Sequence, residues 1–302
     1  MEYRELGKTG ERISCVGMGT WKLGYNPDAE IAALREGISL GINFIDTAKM
    51  YHSEGAVGMA IKGEDVFIAT KVSPDHFAYD DVIKACNRSL KELGIKAIDL
   101  YQLHWPNPNI PIKETMRAME HLAKLGKIRH IGVSNFSVEE MIEAQDALKS
   151  EEIVSNQVEY SPFVREIVDH LGDFCREEKI TMIAYSPLGK GELSKLKQTR
   201  TFPVLYRIGV HHGKSPFQVA ISWLISKEDV VPIPKAASIA HVRENVQAVE
   251  LKLSKTEIEE IDEAEDRSIR PIASRLTGFT RRTTSFWSSI MEKRERLRKH
   301  GV

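Results

Sequence analysis

The chain has 302 residues, 42% of them hydrophobic and 28% charged, with a formal net charge of −1. That size excludes a small disulfide-stapled domain and allows either one (β/α)8 barrel with extensions or two ordinary domains. The near-neutral balance excludes an overall field toward nucleic acid or acidic membranes, and no stretch reaches the length of a membrane span. The charge is uneven. Residues 267–302 carry ten Lys or Arg against two Asp or Glu, which leaves the rest of the chain near −9. A basic tail packed on an acidic surface is the simpler reading, and a nucleic-acid arm the sharper one. Cys15, Cys86 and Cys175 are far apart and form no C-x-x-C pattern, so they read as buried thiols of a reducing, cytoplasmic compartment. The opening MEYRELGKTGERIS lacks the apolar run of a signal peptide.

A short hairpin comes first, with strand-like Tyr3–Leu6 and Ile13–Val16 joined by a turn between Gly7 and Gly10. Val16–Gly19 then opens a series of short β-type runs. These are Ile42–Ile45, Val66–Ala69, Ala97–Leu103, Ile128–Val133, Ile153–Val158, Ile180–Ala184 and Val230–Ile233. Helical patterns lie between them. Asp80–Leu93 places Val82, Ala85, Cys86, Leu90 and Leu93 largely on one side. Ser137 with Glu140, and Ser254 with Glu257, are spaced as capping boxes, and Ser215-Pro216 supplies a cap and a first-turn proline. Thr284 to about Lys299 reads as a last helix with an imperfect apolar side. Strand-then-helix order implies a parallel sheet, and eight such units favour closure into a barrel. The expected architecture is one α/β domain over residues 1–302: a (β/α)8 (TIM) barrel with an N-terminal hairpin (1–16) and a C-terminal tail (267–302). No G-x-G-x-x-G follows a strand, which disfavours a Rossmann cofactor site.

In such barrels chemistry sits where strands end and βα loops begin. Asp46 follows NFI, Lys71 follows FIAT and His104 follows DLYQL, while Tyr51 lies in the loop after Asp46. Each alone has a plainer role: a helix cap, a solvated charge, a packed imidazole, a packing phenol. Together on successive strand ends they suit one reaction. Hydride addition to a carbonyl leaves an alkoxide that must gain a proton from a weak acid. A lysine near a tyrosine favours the phenolate, an aspartate keeps that lysine charged, and a histidine polarises the carbonyl oxygen.

Asp46-Thr-Ala-Lys-Met-Tyr51 resembles the D-T-A-x-x-Y motif of aldo-keto reductases. Lys71 in Ala-Thr-Lys-Val and the block Leu103-His104-Trp105-Pro106 match the family's lysine and histidine motifs, at the spacing D-x4-Y-x19-K-x32-H. The resemblance implies Tyr51 as acid/base, Lys71 and Asp46 as its tuners, and His104 as the group that orients substrate. It also implies a nicotinamide cofactor. Ser134, Asn135 and Gln157 would bind the carboxamide, and Tyr185 would stack on the ring. Ser186, Leu188 and Gly189 would line the pyrophosphate, with Thr20 and Asp46 also in the cofactor shell. Lys235, Ser238, His241, Glu244 and Asn245 would form the adenosine end. His241 stands where many members carry Arg and Ala236 where many carry Ser, so a modest preference for NADP(H), with NAD(H) possible, is expected. His52 follows Tyr51 where glycine is common, so the loop or pocket edge there is expected to differ. Lys190–Thr201 is short and polar, which implies a small loop over the pyrophosphate.

Trp21, Trp105 and Phe136 are expected to line an apolar mouth, with Phe279 or Trp287 of the tail as covers. The partner is then a small-molecule carbonyl compound, with no nucleic acid, no membrane, and a monomer or small homo-oligomer. Two other readings stand beside this one: a Schiff-base aldolase using Lys71, which Asp46 opposes by holding the amine charged, and a cofactor-binding regulatory subunit of the same fold. His211-His212 carries no H-E-x-x-H pattern, and no metal centre is expected.

Overall fold

The computed structural model describes residues 1–23, 26–165, 168–189 and 193–264. The expected tail, its helix, and the covers Phe279 and Trp287 lie outside the described residues.

Strands β1 (Tyr3–Glu5) and β2 (Arg12–Ser14) form an antiparallel hairpin. Eight parallel strands follow in chain order: β3 (Met18–Gly19), β4 (Phe44–Asp46), β5 (Phe67–Val72), β6 (Ile98–Leu103), β7 (Ile128–Ser134), β8 (Ile153–Glu159), β9 (Thr181–Tyr185) and β10 (Val230–Pro232). Each pairs with its sequence neighbour, as right-handed βα units require. β5 and β8 are buried along their whole length, on both faces, as parallel strands covered by helices are.

The first and last strands meet. Gly17 N donates to Pro232 O at 2.9 Å, Gly19 N donates to Pro234 O at 3.3 Å, and Gly19 bridges Lys235 in parallel. Glycine is required on this seam. A Cβ at Gly19 would stand 2.7 Å from Ile233 O, and one at Gly17 would stand 2.5 Å from the Phe44 ring. The eight strands therefore curl into the expected barrel.

Between the strands run α1 (Pro27–Ser39), α2 (Glu54–Ala60), α3 (Tyr79–Leu93), α4 (Ile112–Lys124), α5 (Val138–Asp146) and α6 (Val168–Glu178). After β9 come α7 (Leu193–Leu196), α8 (Thr201–His212) and α9 (Pro216–Ile225), and after β10 come α10 (Ile239–Gln247) and α11 (Lys255–Glu263). The Ser137/Glu140 and Ser254/Glu257 capping boxes form as their spacing requires, and Ser215 with Gln218 makes a third.

The hairpin closes one end of the barrel. Leu6 and Ile13 are fully buried in a cluster with Phe44, Phe67, Leu100, Val154 and Ile183. Burying each of these two side chains contributes about 1.5–3 kcal/mol. Arg4 donates to Lys227 O and Val230 O at 2.6 Å, tying the hairpin to the loop between α9 and β10. This plug leaves chemistry to the opposite, C-terminal rim. Cys15, Cys86 and Cys175 are buried free thiols, and burial pushes Cys86 and Cys175 up to about 12, which keeps them inert.

Candidate active site

Successive strand ends bring one polar residue after another to the rim. Thr20 follows β3, Asp46 ends β4, Lys71 lies at the end of β5 and His104 follows β6. Ser134 ends β7, Gln157 lies near the end of β8 and Tyr185 ends β9. Tyr51 reaches the same place through a 3-10 turn, Lys49–Tyr51, that ends at His52 with φ +56°. The conformation that favours glycine is thus kept although the residue is histidine, at a cost of order 1 kcal/mol.

Lys71 and Asp46 form a buried ion pair. Lys71 Nζ donates to Asp46 Oδ1 at 2.6 Å and to Thr47 O at 2.8 Å, and their side chains are 0% and 2% exposed. Burial lowers the lysine from its ordinary value, and the Asp46 charge opposes that shift. The other carboxylate oxygen, Asp46 Oδ2, accepts Gln157 Nε2 at 2.7 Å and Gln102 Nε2 at 3.1 Å. Lys71 Nζ lies 5.0 Å from the centroid of the Tyr51 ring.

Tyr51 Oη lies 3.2 Å from His104 Nε2, and the rings meet edge to face. The sequence led us to expect that Lys71 would bring the phenol down. In the structure burial pushes Tyr51 well above its ordinary value, and the Asp46 carboxylate adds to the shift. The reason is that Asp46, at 2.6 Å, largely cancels the Lys71 charge as seen from the ring. The phenol is therefore protonated, the form that can give up a proton.

Burial and the Lys71 charge hold His104 down at about 3, so the imidazole is neutral. Its Nδ1 is buried without a hydrogen-bond partner. An unpartnered N–H costs more than a bare lone pair, so we assign the proton to Nε2, facing Tyr51. The same shift sets an acid limit on the fold. The unfolded chain protonates His104 near 6.5 and the folded chain only near about 3. This contribution to stability is whole above pH 6.5 and is lost as pH falls toward 3, at about 1.4 kcal/mol per unit. Urea unfolding at pH 7, 5 and 4 should show a shallower acid loss for His104→Gln than for the native chain. Identical slopes would refute the assignment.

The residues expected to bind the carboxamide already bond to one another. Ser134 Oγ donates to Gln157 O at 2.9 Å. Asn135, at φ +62°, donates to His104 O at 3.3 Å and Ser134 Oγ at 3.0 Å and accepts the Tyr185 hydroxyl at 3.0 Å. Tyr185 is half-buried. Ser186 and Gly189 both adopt positive φ, and a Cβ at Gly189 would stand 2.6 Å from Leu196. Leu188 packs on the cluster that holds Cys15, Val16 and Ile221. The stretch read as a small polar loop in fact holds α7 and the buried anchors Leu196 and Thr199. Leu196, Thr199 and Thr201, buried among polar residues, leave no periodicity to read.

At the adenosine end Lys235 is exposed and Ser238 caps α10, accepting His241 N at 3.4 Å. His241 is exposed. Glu244 accepts the Ser215 hydroxyl at 2.8 Å, and Asn245 is buried. Arg243 donates to Glu36 at 2.7 Å, away from Ser238. Of the expected mouth residues, Trp21 is 45% exposed, Trp105 is half-buried, and Phe136 is packed in the interior at 3%. Thr20 Oγ1 lies 3.0 Å from Ser53 Oγ, which lies 2.9 Å from Thr47 Oγ1. Ser53, Thr47, Glu54 and Gln102 belong to the site and were missed in the sequence. His211 and His212 meet Glu257, at 3.5 and 2.6 Å, where α8 faces α11. These atoms could hold a metal ion.

A parallel barrel with a buried Lys–Asp pair, a protonated phenol and a neutral imidazole at its C-terminal rim defines an enzyme of polar, proton-coupled chemistry. The chain belongs to the aldo/keto reductase family, whose family model matches residues 15–266. It is 40% identical over 276 residues to a methylglyoxal reductase of Escherichia coli, covering 87% of this chain and 95% of that protein. It is 35% identical to a glyoxal reductase of Bacillus subtilis, covering 84% and 89%. A crystal structure of a thermostable aldo-keto reductase with the inhibitor epalrestat superposes with a TM-score of 0.82 at 40% identity, covering 87% of this chain and all of that one. An aldo-keto reductase from Klebsiella pneumoniae in complex with NADPH superposes at 0.81 and 34% identity, covering 88% and 97%. The protein is an oxidoreductase of this family. Among the described residues, no helix is long and apolar enough to cross a membrane.

Proposed function

We propose that the chain reduces small aldehydes and ketones to alcohols with NADPH, and that Tyr51 delivers the proton. The observation that carries this reading is the pairing of a protonated Tyr51 with a neutral His104 at 3.2 Å, beside the buried Lys71–Asp46 pair. The donor set fits the cofactor. The Asn135 amide accepts the hydroxyl of half-buried Tyr185, which suits a carboxamide on a planar ring, and exposed Lys235 stands three residues before the Ser238 cap of α10, which suits a phosphate. The bound cofactor supplies the hydride. His104 Nε2–H hydrogen-bonds the carbonyl oxygen and draws charge onto it. Tyr51 Oη then gives its proton to that oxygen, and Lys71 stabilises the phenolate that remains.

The relatives direct the choice of substrate to short dicarbonyls, so methylglyoxal and glyoxal head the panel to be tried. NADPH oxidation followed by absorbance, with product analysis, is the test. Multiple turnovers exclude a cofactor-binding regulatory role, in which bound NADPH would be oxidised once. A Schiff-base mechanism needs a neutral, accessible amine, whereas Lys71 is fully buried with two acceptors within 2.8 Å.

Cofactor preference should be modest. Lys235 and the α10 N-terminus favour a 2′-phosphate, while exposed His241 stands on the first turn of that helix without the fixed charge of an arginine. His241→Arg should raise the ratio of NADH to NADPH Kd by about tenfold, as one charge-assisted contact implies. An unchanged Kd ratio in His241→Arg would show that position 241 does not meet the phosphate.

A further inference from the structure

We propose that Gln102 is a positioning residue of the reaction: it keeps the Asp46 carboxylate aimed at Lys71 while Gln157 serves the cofactor. This rests on the roles given above to Tyr51, Lys71 and Asp46.

Gln102 sits in β6 directly opposite Lys71 of β5, and its side chain is fully buried. A buried amide without partners is costly, and here it is well partnered. Its Nε2 donates to Asp46 Oδ2 at 3.1 Å, and its Oε1 accepts Gln157 Nε2 at 3.4 Å. Room for the side chain comes from the next strand. Gly132 of β7 lies opposite Gln102, and a Cβ there would stand 3.0 Å from Gln102 Cγ and 2.5 Å from Ser155 Oγ.

The geometry gives Asp46 Oδ2 two amide donors, Gln157 at 2.7 Å and Gln102 at 3.1 Å. Gln157 has a second claim on it under the cofactor role given to its amide above. When Gln157 turns to the cofactor, Gln102 is the donor left on Oδ2. Without it, a buried carboxylate would be free to rotate away from Lys71 in search of a partner. Titratable groups face the reacting phenol and its lysine from several elements. Lys71 faces Asp46 of β4 and Glu54 of α2, while Tyr51 faces Asp46, Tyr185 of β9 and His104 beyond β6. Of these, Gln102 bonds Asp46, so its influence on Tyr51 runs through the Asp46–Lys71 pair.

Gln102→Met tests this, since it keeps the length and removes the donor. Oxidation of a simple alcohol by NADP+ requires the Tyr51 phenolate, so its kcat rises with pH toward a limb set by that group. Gln102→Met should lower kcat by about tenfold or more, the effect of one hydrogen bond to a charged group. It should also move the limb by roughly half a pH unit or more, because the Asp46–Lys71 pair whose opposed charges act on Tyr51 is no longer fixed. KM for the alcohol should stay within about twofold, because Gln102 acts behind the substrate. Gly132→Ala, which crowds Gln102, should shift the limb in the same direction. A uniform fall with an unmoved limb would overturn the proposal.

Urea unfolding gives a readout that does not depend on turnover. Gln102→Met should change the unfolding equilibrium constant at least about fivefold more in the native background than in the Asp46→Asn background, where the carboxylate that Gln102 serves is gone. Equal effects in both backgrounds would also overturn it. If Tyr51→Phe fails to remove the limb, the reading of Tyr51 is what fails, and the unfolding comparison decides Gln102 by itself.

Discussion

Tyr51→Phe is expected to reduce carbonyl turnover by about 10²–10⁴-fold, the usual contribution of a positioned general acid. Burial and the Asp46 carboxylate both push the phenol up, so it is protonated across the working range and the donor is always loaded. Phenylalanine keeps the ring and its edge-to-face contact with His104 but has no proton to give. Cofactor affinity should therefore hold within about threefold, since the loss lies in the chemical step. Single-turnover oxidation of NADPH with methylglyoxal, beside a fluorescence titration of NADPH, separates the two quantities. A rate loss under tenfold would mean that water or another group supplies the proton.

Lys71→Met should cripple the enzyme and also unsettle the fold. The native ammonium is fully buried against Asp46 at 2.6 Å. Removing it leaves a carboxylate in the barrel interior with two amides and no cation. Breaking a buried pair from one side costs about 3–5 kcal/mol. A second substitution, Asp46→Asn, should restore part of that stability without restoring activity, because it removes the stranded charge. The activity that survives Lys71→Met should move to higher pH in alcohol oxidation, where the phenolate must form without its cation. Urea unfolding of the single and double variants checks the first claim. A loss below about 1 kcal/mol, or no recovery in the double variant, would show that Asp46 is stabilised from elsewhere.

Much of the architecture was legible in the chain. Buried parallel strands favour short β-type runs, and those at Val66–Ala69, Ala97–Leu103 and Ile153–Val158 fall where the fold has β5, β6 and β8. Helix starts could be read because a capping box is a local contact between residues three apart, as at Ser137 and Glu140. Asp46, Lys71 and His104 were visible as ionisable residues just after apolar runs, and the barrel brings all three to one rim with Tyr51.

What the sequence could not settle depends on register, burial and close approach. Gln102 hides inside an apolar run, and its contact with Asp46 exists because β4, β5 and β6 stack in one register. The ionisation of Tyr51 turned on distance. From sequence a nearby lysine should lower the phenol, but in the fold Asp46 cancels that lysine and desolvation dominates. Gly17 and Gly19 looked like ordinary strand residues, and only closure of the barrel shows that the Ile233 carbonyl and the Phe44 ring exclude any side chain there. Local patterns thus determined which segments form the barrel and which ionisable residues reach its rim. The protonation states and the hydrogen-bond order within the site were decided by residues far apart in the chain, whose charges and carbonyls meet only once the eight strands have closed.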